Sequence, residues 1–152
     1  MIDLNNESGV EVDELALVQL ARFALTALRI HPQADLSIVL VDPDTMTALH
    51  EKHMGLPGPT DVMSFPMDEL REPDPDDEPP LGHLGDIVLC PQIIAEQAPD
   101  NGRRPDEEAQ YLLVHGLLHL LGHDHAEADE KAVMFGLNDR LIADWETARV
   151  RS

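Results

Sequence analysis

The sequence has few of the features that mark secreted or membrane-spanning proteins. It contains one cysteine, Cys90, which cannot form an internal disulfide and is consistent with a reducing compartment. No run approaches about 18 consecutive apolar residues, so no transmembrane helix is predicted. The polar, acidic start at residues 1–7 does not follow the pattern of a signal peptide. We therefore predict a cytoplasmic protein.

Positive charge is also scarce. The chain has 10 Lys and Arg residues against 30 Asp and Glu residues, and its formal net charge is −20. Non-specific binding to nucleic-acid phosphates relies on Lys and Arg, so this composition argues against a broad nucleic-acid binder. Two features weaken the objection. A bound divalent cation would place positive charge where a phosphate sits, and much of the acid is concentrated in Asp68–Glu78.

The distribution of apolar residues predicts one compact domain over residues 1–152, of which 43% of residues are hydrophobic. Short apolar or alternating runs predict four strands, at residues 2–6, 36–41, 61–65 and 86–90. Periodic or proline-initiated segments predict about five helices, at residues 12–28, from 43, 91–98, 105–121 and 126–147. The acidic, proline-rich segment 67–82 is predicted to be an exposed loop. This order predicts an α+β fold with a single small mixed sheet of about four strands packed with about five helices.

Histidines are concentrated in one segment towards the end of the chain. His115, His119 and His125, with Gly122 between the last two, form the pattern H-x-x-x-H-x-x-G-x-x-H. His115 and His119 are four residues apart and therefore lie on one face of a helix. Gly122 suits a left-handed helix cap, after which the chain can reverse and bring back His125 as a third ligand. Three imidazoles leave one tetrahedral position open, which is typical of a catalytic zinc site.

This pattern differs at one position from the zincin motif H-E-x-x-H-x-x-G-x-x-H. Gly116 stands where a zincin metallopeptidase has its Glu general base. The pattern thus predicts one Zn²⁺ or similar divalent ion per chain, and leaves a metallopeptidase with an unusual base as a weak alternative. An interior glycine costs a helix about 1 kcal/mol relative to alanine. We therefore predict that Gly116 allows close packing beside the metal site.

Three segments of the chain stand out together: H-G-x-L-H-L-x-G-x-D-H at residues 115–125, P-T-D-V-M-S-F-P at 59–66 and L-G-D-I-V at 84–88. Together they resemble the YbeY family of metal-dependent endoribonucleases. The resemblance implies a single-strand endoribonuclease that acts on ribosomal RNA in rRNA maturation and ribosome quality control. It also implies the α+β architecture with a zincin-like metal helix. The metal would activate water or a ribose hydroxyl for phosphodiester cleavage.

One residue departs from the family pattern. The family usually carries an arginine in the segment that leads into P-T-D-V, where it is thought to face the substrate, and the aligned residue here is Met54. This departure leaves open how the scissile phosphate is bound. The candidate substitutes are basic or titratable residues elsewhere: Lys52, His50, His53, Arg103 and Arg104.

Two further residues are candidates for catalytic support. Asp124 either hydrogen-bonds a ligand imidazole, or orients the activated water, or caps the turn that contains it. Ser64 is a candidate because it lies within the second family segment, and the general base is unassigned.

A second functional alternative is a non-catalytic ribosome-assembly factor with a structural metal. Its acidic surface would suit a basic partner, such as a small-subunit ribosomal protein or an assembly GTPase.

Overall fold

The computed structural model describes residues 1–151, and the side chains of residues 1–150. Within these residues the chain forms four strands and five α-helices, with one short 3-10 helix. The strands are β1 (Ile2–Asn6), β2 (Asp35–Leu40), β3 (Val62–Pro66) and β4 (His83–Leu89). The helices are α1 (Glu14–Ala27), α2 (Pro43–Met54), α3 (Pro91–Gln97), the 3-10 helix (Ala98–Asn101), α4 (Pro105–Leu120) and α5 (Ala128–Arg151). The predicted α+β class and element order are confirmed.

The strands form one mixed sheet in the order β1-β2-β4-β3. The pairs β1–β2 and β2–β4 are parallel, whereas β3 runs antiparallel to β4 at the edge of the sheet. Pro66 is the last residue of this edge strand, where its missing N–H does not interrupt the sheet. Ser64 pairs with Ile87, which places both residues under the helix that carries the histidine motif.

The helix boundaries follow local capping chemistry. The Asp42 side chain accepts a hydrogen bond from the Thr45 backbone N–H at 2.7 Å, and Pro43 begins α2. The Asp13 side chain caps α1 in the same way by accepting from the Ala16 N–H at 3.1 Å. This cap makes α1 begin at Glu14, two residues later than the predicted start.

The boundaries of two further elements differ from the prediction. β4 begins at His83, three residues before the predicted start, because Gly82 and Gly85 interrupt the apolar pattern while the backbone remains paired. The last helix begins at Ala128 and continues beyond the predicted end at residue 147.

The helix α4 lies at the centre of the packing. It contacts α1, α3, α5, β3 and β4, and its buried residues include Leu113, Leu117 and Leu118. These side chains join the main core with residues of β2 and β4. A smaller cluster around Met46 of α2 and Val88 of β4 also contains the buried Cys90. None of the helices within residues 1–151 has the length and apolarity needed to cross a membrane.

Candidate metal centre

The last turns of α4 position the first two histidines. Leucines on either side of them are buried against the sheet, so the backbone of this segment is held by the core. His115 and His119 are only partly exposed, and their Nε2 atoms face each other at 3.1 Å. Their ring centroids are 4.7 Å apart. The predicted pairing on one helix face is therefore confirmed.

A turn after α4 returns the third histidine to the first two. Gly122 has a φ of +92°, a conformation that favours glycine, and its N–H donates to the His119 carbonyl at 3.0 Å. The ring centroid of His125 then lies 5.6 Å from that of His115 and 5.3 Å from that of His119. One ligand nitrogen from each ring lies within 4.8 Å of the other two. The structure thus brings together all three histidines of the motif.

The site favours the neutral form of its histidines. Burial, followed by the neighbouring His119 and His125, lowers the pKa of His115 from 6.5 to about 4. Burial, followed by His125, also lowers the pKa of His119. A neutral imidazole is the form that binds a metal, so these two groups require no deprotonation near pH 7.

The chemistry of the donor set suits a zinc ion, and one pair of its ligands has the spacing that tetrahedral zinc requires. Zn–N bonds of about 2.0–2.1 Å place two ligand nitrogens about 3.3 Å apart, close to the 3.1 Å between the two Nε2 atoms. Imidazole nitrogens suit Zn²⁺ and the neighbouring transition metals. The second nitrogen of His115, Nδ1, is buried and has no hydrogen-bond partner within the described residues. This ring therefore presents Nε2 to the shared point.

An aromatic residue of α5 covers one side of the cluster. The Phe135 ring stacks on His115 at a centroid distance of 5.8 Å and on His125 at 6.1 Å. Its ring covers one face of His115, which is partly buried, whereas His125 is exposed. Sequence reasoning missed Phe135 because it lies beside the apolar stripe of α5, next to Met134, and not within the histidine motif.

Gly116 allows α4 to approach the sheet closely. A Cβ atom at this position would lie 3.0 Å from Ile87 Cγ2, 3.0 Å from Ser64 Oγ and 3.4 Å from Val62 Cγ2. The Ser64 hydroxyl donates to the Gly116 carbonyl at 3.0 Å. The predicted close packing of Gly116 is confirmed, and the packing partner is the sheet.

Asp124 contacts the backbone of the ligand-bearing turn. Its Oδ1 accepts a hydrogen bond from the His125 N–H at 2.7 Å, and its side chain is exposed. This is the contact of the turn-capping alternative.

The acidic loop also reaches the site, which the sequence did not indicate. Arg71 lies over Gly122, since a Cβ atom there would be 2.4 Å from Arg71 Nε. The next residue, Glu72, hydrogen-bonds the His123 ring. The Arg71 guanidinium donates to the carbonyls of Glu69 and Leu70, each at 3.0 Å. The loop is exposed as predicted, but one part of it packs against the turn between the second and third histidines.

The structure shows where Met54 lies and where the residues lie that could bind the scissile phosphate in place of the family arginine. Met54 ends α2 and is 61% exposed. Arg103 pairs with Glu108 at 2.7 Å, and Arg104 precedes the first turn of α4, about 22 Å along the helix from His119. The Arg103 guanidinium also lies over the Tyr111 ring, with its carbon 3.8 Å from the ring centroid. Arg104 is thus distant from the histidines, whereas a role for Arg103 stays a prediction. On α2, the His50 ring contacts the Gly58 carbonyl, and the His53 ring packs against the Phe65 ring. A role in phosphate binding for these two histidines and for Lys52 stays a prediction.

The protein has a mixed four-stranded sheet and a helix that carries two histidines one turn apart. The turn after this helix carries the third histidine. These features define an α+β protein with a zincin-type histidine cluster. A family model described as Endoribonuclease YbeY matches residues 3–146 of the chain. The chain therefore belongs to the YbeY endoribonuclease family, which confirms the resemblance of the three sequence segments.

Individual relatives support this assignment. Endoribonuclease YbeY of Cutibacterium acnes is 66% identical over 149 residues, covering 98% of this chain and 96% of that protein. Endoribonuclease YbeY of Streptomyces griseus is 60% identical over 148 residues, covering 95% of this chain and 89% of the other. The solution structure of TM1509 from Thermotoga maritima has a TM-score of 0.62 at 23% identity and covers 100% of this chain and 96% of that one. This last likeness concerns the fold alone.

Proposed function

We propose that His115, His119 and His125 hold one Zn²⁺ or similar divalent ion, and that the chain acts as one cytoplasmic domain on single-stranded ribosomal RNA in rRNA maturation and quality control. As a family member, the protein is an endoribonuclease, a hydrolase of RNA phosphodiester bonds. The observation that carries the metal proposal is the convergence of three ligand nitrogens to within 4.8 Å of one another. Histidine clusters of this spacing on a helix and its following turn are typical of catalytic metal sites.

The chain's own residues prepare this site for chemistry. Bound Zn²⁺ supplies Lewis acidity towards a phosphoryl oxygen and activates water or a ribose hydroxyl for attack. Burial keeps His115 and His119 neutral and ready to bind. Asp124 holds the backbone of His125, and Ser64 holds α4 against β3, so both residues act as positioning residues. Phe135 covers one face of the His115 ring.

Two basic residues near the cluster are suited to bind the RNA backbone in place of the family arginine. Arg71 packs on Gly122, within the turn that carries the third histidine. Lys131 Nζ lies 5.8 Å from the centroid of the Phe135 ring, which itself stacks on two of the histidines. Both side chains are exposed, and each can pair with a phosphate without a buried charge.

The metallopeptidase alternative meets a steric obstacle. The zincin base would have to occupy position 116, where even a Cβ atom would lie 3.0 Å from Ile87 and from Ser64. The assembly-factor alternative is favoured by two observations, the net charge of −20 and the presence of Met54 where the family usually has an arginine. An acidic surface suits basic partners, such as a small-subunit ribosomal protein or an assembly GTPase, and such a partner is compatible with nuclease activity as well.

Metal analysis combined with an RNA-cleavage assay tests the proposal. Purified protein should carry about one metal ion per chain and cleave an unstructured RNA, and a chelator should stop cleavage. His115→Ala and His119→Ala should lose metal and cleavage together. His31→Ala, which changes a histidine of the α1–β2 connection, should retain both. Full activity in a metal-free His115→Ala/His119→Ala double variant would refute the mechanism.

Two further measurements distinguish the endoribonuclease from the peptidase and assembly-factor alternatives. Cleavage of casein by the metal-loaded protein would favour a peptidase. A chelator that lowers the melting temperature, in a protein that has no metal-dependent RNA cleavage, would favour the assembly factor.

A further inference from the structure

Two buried polar atoms stand out among the side chains of residues 1–150. His115 Nδ1 and Asn138 Oδ1 are both inaccessible to solvent and have no hydrogen-bond partner within the described chain. Buried polar atoms of folded proteins are nearly always paired, so each requires an explanation. One of the two belongs to a proposed metal ligand, and the other belongs to the helix that packs beside it.

Asn138 occupies a core position of α5. It is 0% exposed and lies between Met134 at 0% and Leu141 at 2%, two residues of the apolar stripe. Leu137, which the sequence pattern assigns to this stripe, is only partly buried. An apolar side chain could fill this buried position without the free-energy cost of desolvating an amide. Packing alone therefore does not account for an asparagine there.

The amide lies at the level of the His115 ring in the α4–α5 interface. Asn138 Nδ2 donates at 3.5 Å to the Tyr111 carbonyl, which is one helical turn before His115. Helical side chains lean towards the N-terminal end of their helix, so the His115 ring leans towards that same turn. Phe135, three residues before Asn138, stacks on the His115 ring.

The chemistry of the two atoms is complementary. The His115 Nε2 atom faces His119 and the proposed metal, so in the neutral ring the proton lies on Nδ1, which is then a donor. The Tyr111 carbonyl can only accept, which turns the Asn138 Nδ2 towards it and leaves Oδ1 as a free acceptor. Histidines that bind a metal usually donate their other N–H to an oxygen acceptor, which fixes the ring orientation.

We propose that Asn138 is a positioning residue for the metal site: its Oδ1 accepts a hydrogen bond from one bridging water, which in turn accepts the Nδ1–H of His115, because the two side-chain atoms are not hydrogen-bonded to each other directly. This inference rests on the proposed three-histidine site. It extends the site to a residue of α5 that lies outside the histidine motif and in none of the three family segments.

Two substitutions separate the acceptor from the volume of the side chain. Asn138→Leu removes the amide at similar size, whereas Asn138→Asp retains an oxygen acceptor. Zinc affinity is measured by competition with a chromophoric chelator. Asn138→Leu should weaken zinc binding about 10- to 100-fold, while Asn138→Asp should stay within a few-fold of wild type. Leu137→Ala is the matched control, since it removes packing from the same helix and should leave zinc affinity unchanged.

A spectroscopic measurement reports the hydrogen bond itself. In the zinc-loaded protein, the NMR signal of the His115 Nδ1–H should be protected from solvent exchange. The signal should lose this protection in Asn138→Leu and keep it in Asn138→Asp and Leu137→Ala. If Asn138→Leu does not fold by circular dichroism, Asn138→Ala takes its place, because a smaller side chain introduces no new contact.

The results distinguish this inference from the proposed function. Wild-type zinc affinity and a protected Nδ1–H in Asn138→Leu or Asn138→Ala would overturn the role of Asn138 alone. So would an Asn138→Asp variant that binds zinc as weakly as Asn138→Leu. A wild-type protein that binds no stoichiometric zinc, or a His115→Ala variant that binds it normally, would overturn the three-histidine site and this inference together.

Discussion

Replacing Gly116 by alanine should destabilise the protein even though alanine is the better helix former. In an unhindered helix interior, Gly→Ala stabilises by about 1 kcal/mol. At position 116 the added Cβ atom would meet Ile87 Cγ2 and Ser64 Oγ at 3.0 Å. Ile87 is 0% exposed in β4, an inner strand of the sheet, and cannot move aside, and overpacking of this kind costs about 1–3 kcal/mol. We expect a net loss of about 1 kcal/mol.

The chain contains a matched control for this experiment. Gly136 lies within α5, and nothing lies within 4 Å of the position its Cβ would occupy. Gly136→Ala should therefore gain about 1 kcal/mol, so the two variants should differ by about 2 kcal/mol. Urea unfolding of both variants in the presence of a chelator measures this difference without a contribution from metal binding. Equal stabilisation by the two alanines would refute the steric account of Gly116.

Three further predictions concern the cluster and its surroundings. The pKa of His115 falls from 6.5 in the unfolded protein to about 4 in the folded protein, so between these pH values the unfolded state binds more protons. The free energy of unfolding of the metal-free protein should therefore fall by about 1–2 kcal/mol as the pH drops from 6.5 to 4, a value discounted for the partial exposure of the ring. An identical pH profile of unfolding in His115→Gln would contradict this. Ser64→Ala should cost about 1 kcal/mol of stability and leave cleavage within a few-fold, because the hydroxyl serves Gly116. Loss of cleavage with metal and stability intact would instead make Ser64 catalytic. Arg71→Gln and Lys131→Gln should each reduce the slope of log affinity against log salt for single-stranded RNA by about 0.7, measured by anisotropy with a non-cleavable RNA. An unchanged slope would exclude that residue as a phosphate ligand.

The sequence predicted the parts of the site that depend on local spacing. The i, i+4 pair and the glycine before His125 follow from helix geometry and from the left-handed cap at Gly122. These features need no knowledge of tertiary packing. Element order was predictable for the same reason, because prolines and capping residues mark the starts of α2 and α4.

The residues that the sequence did not indicate all depend on how distant segments pack. Phe135 stacks on His115, and Asn138 contacts the Tyr111 carbonyl one turn before it, only because α5 packs against α4. Arg71 lies in a segment whose composition predicts solvent exposure, and its contact with Gly122 depends on the path of that loop. No periodicity in one segment encodes its contact with another, so these positions required the structure.

Gly116 links the packing of the fold to the class of reaction. A zincin peptidase needs a carboxylate one residue after its first histidine. In this protein that position faces the sheet, with a strand side chain and a serine hydroxyl each 3.0 Å from where a Cβ would be. The helix backbone can approach β3 and β4 this closely only without a side chain at position 116. The base that activates the nucleophile must therefore come from outside this position, from another chain segment or from the RNA itself, which is why the absence of the zincin glutamate is compatible with a nuclease.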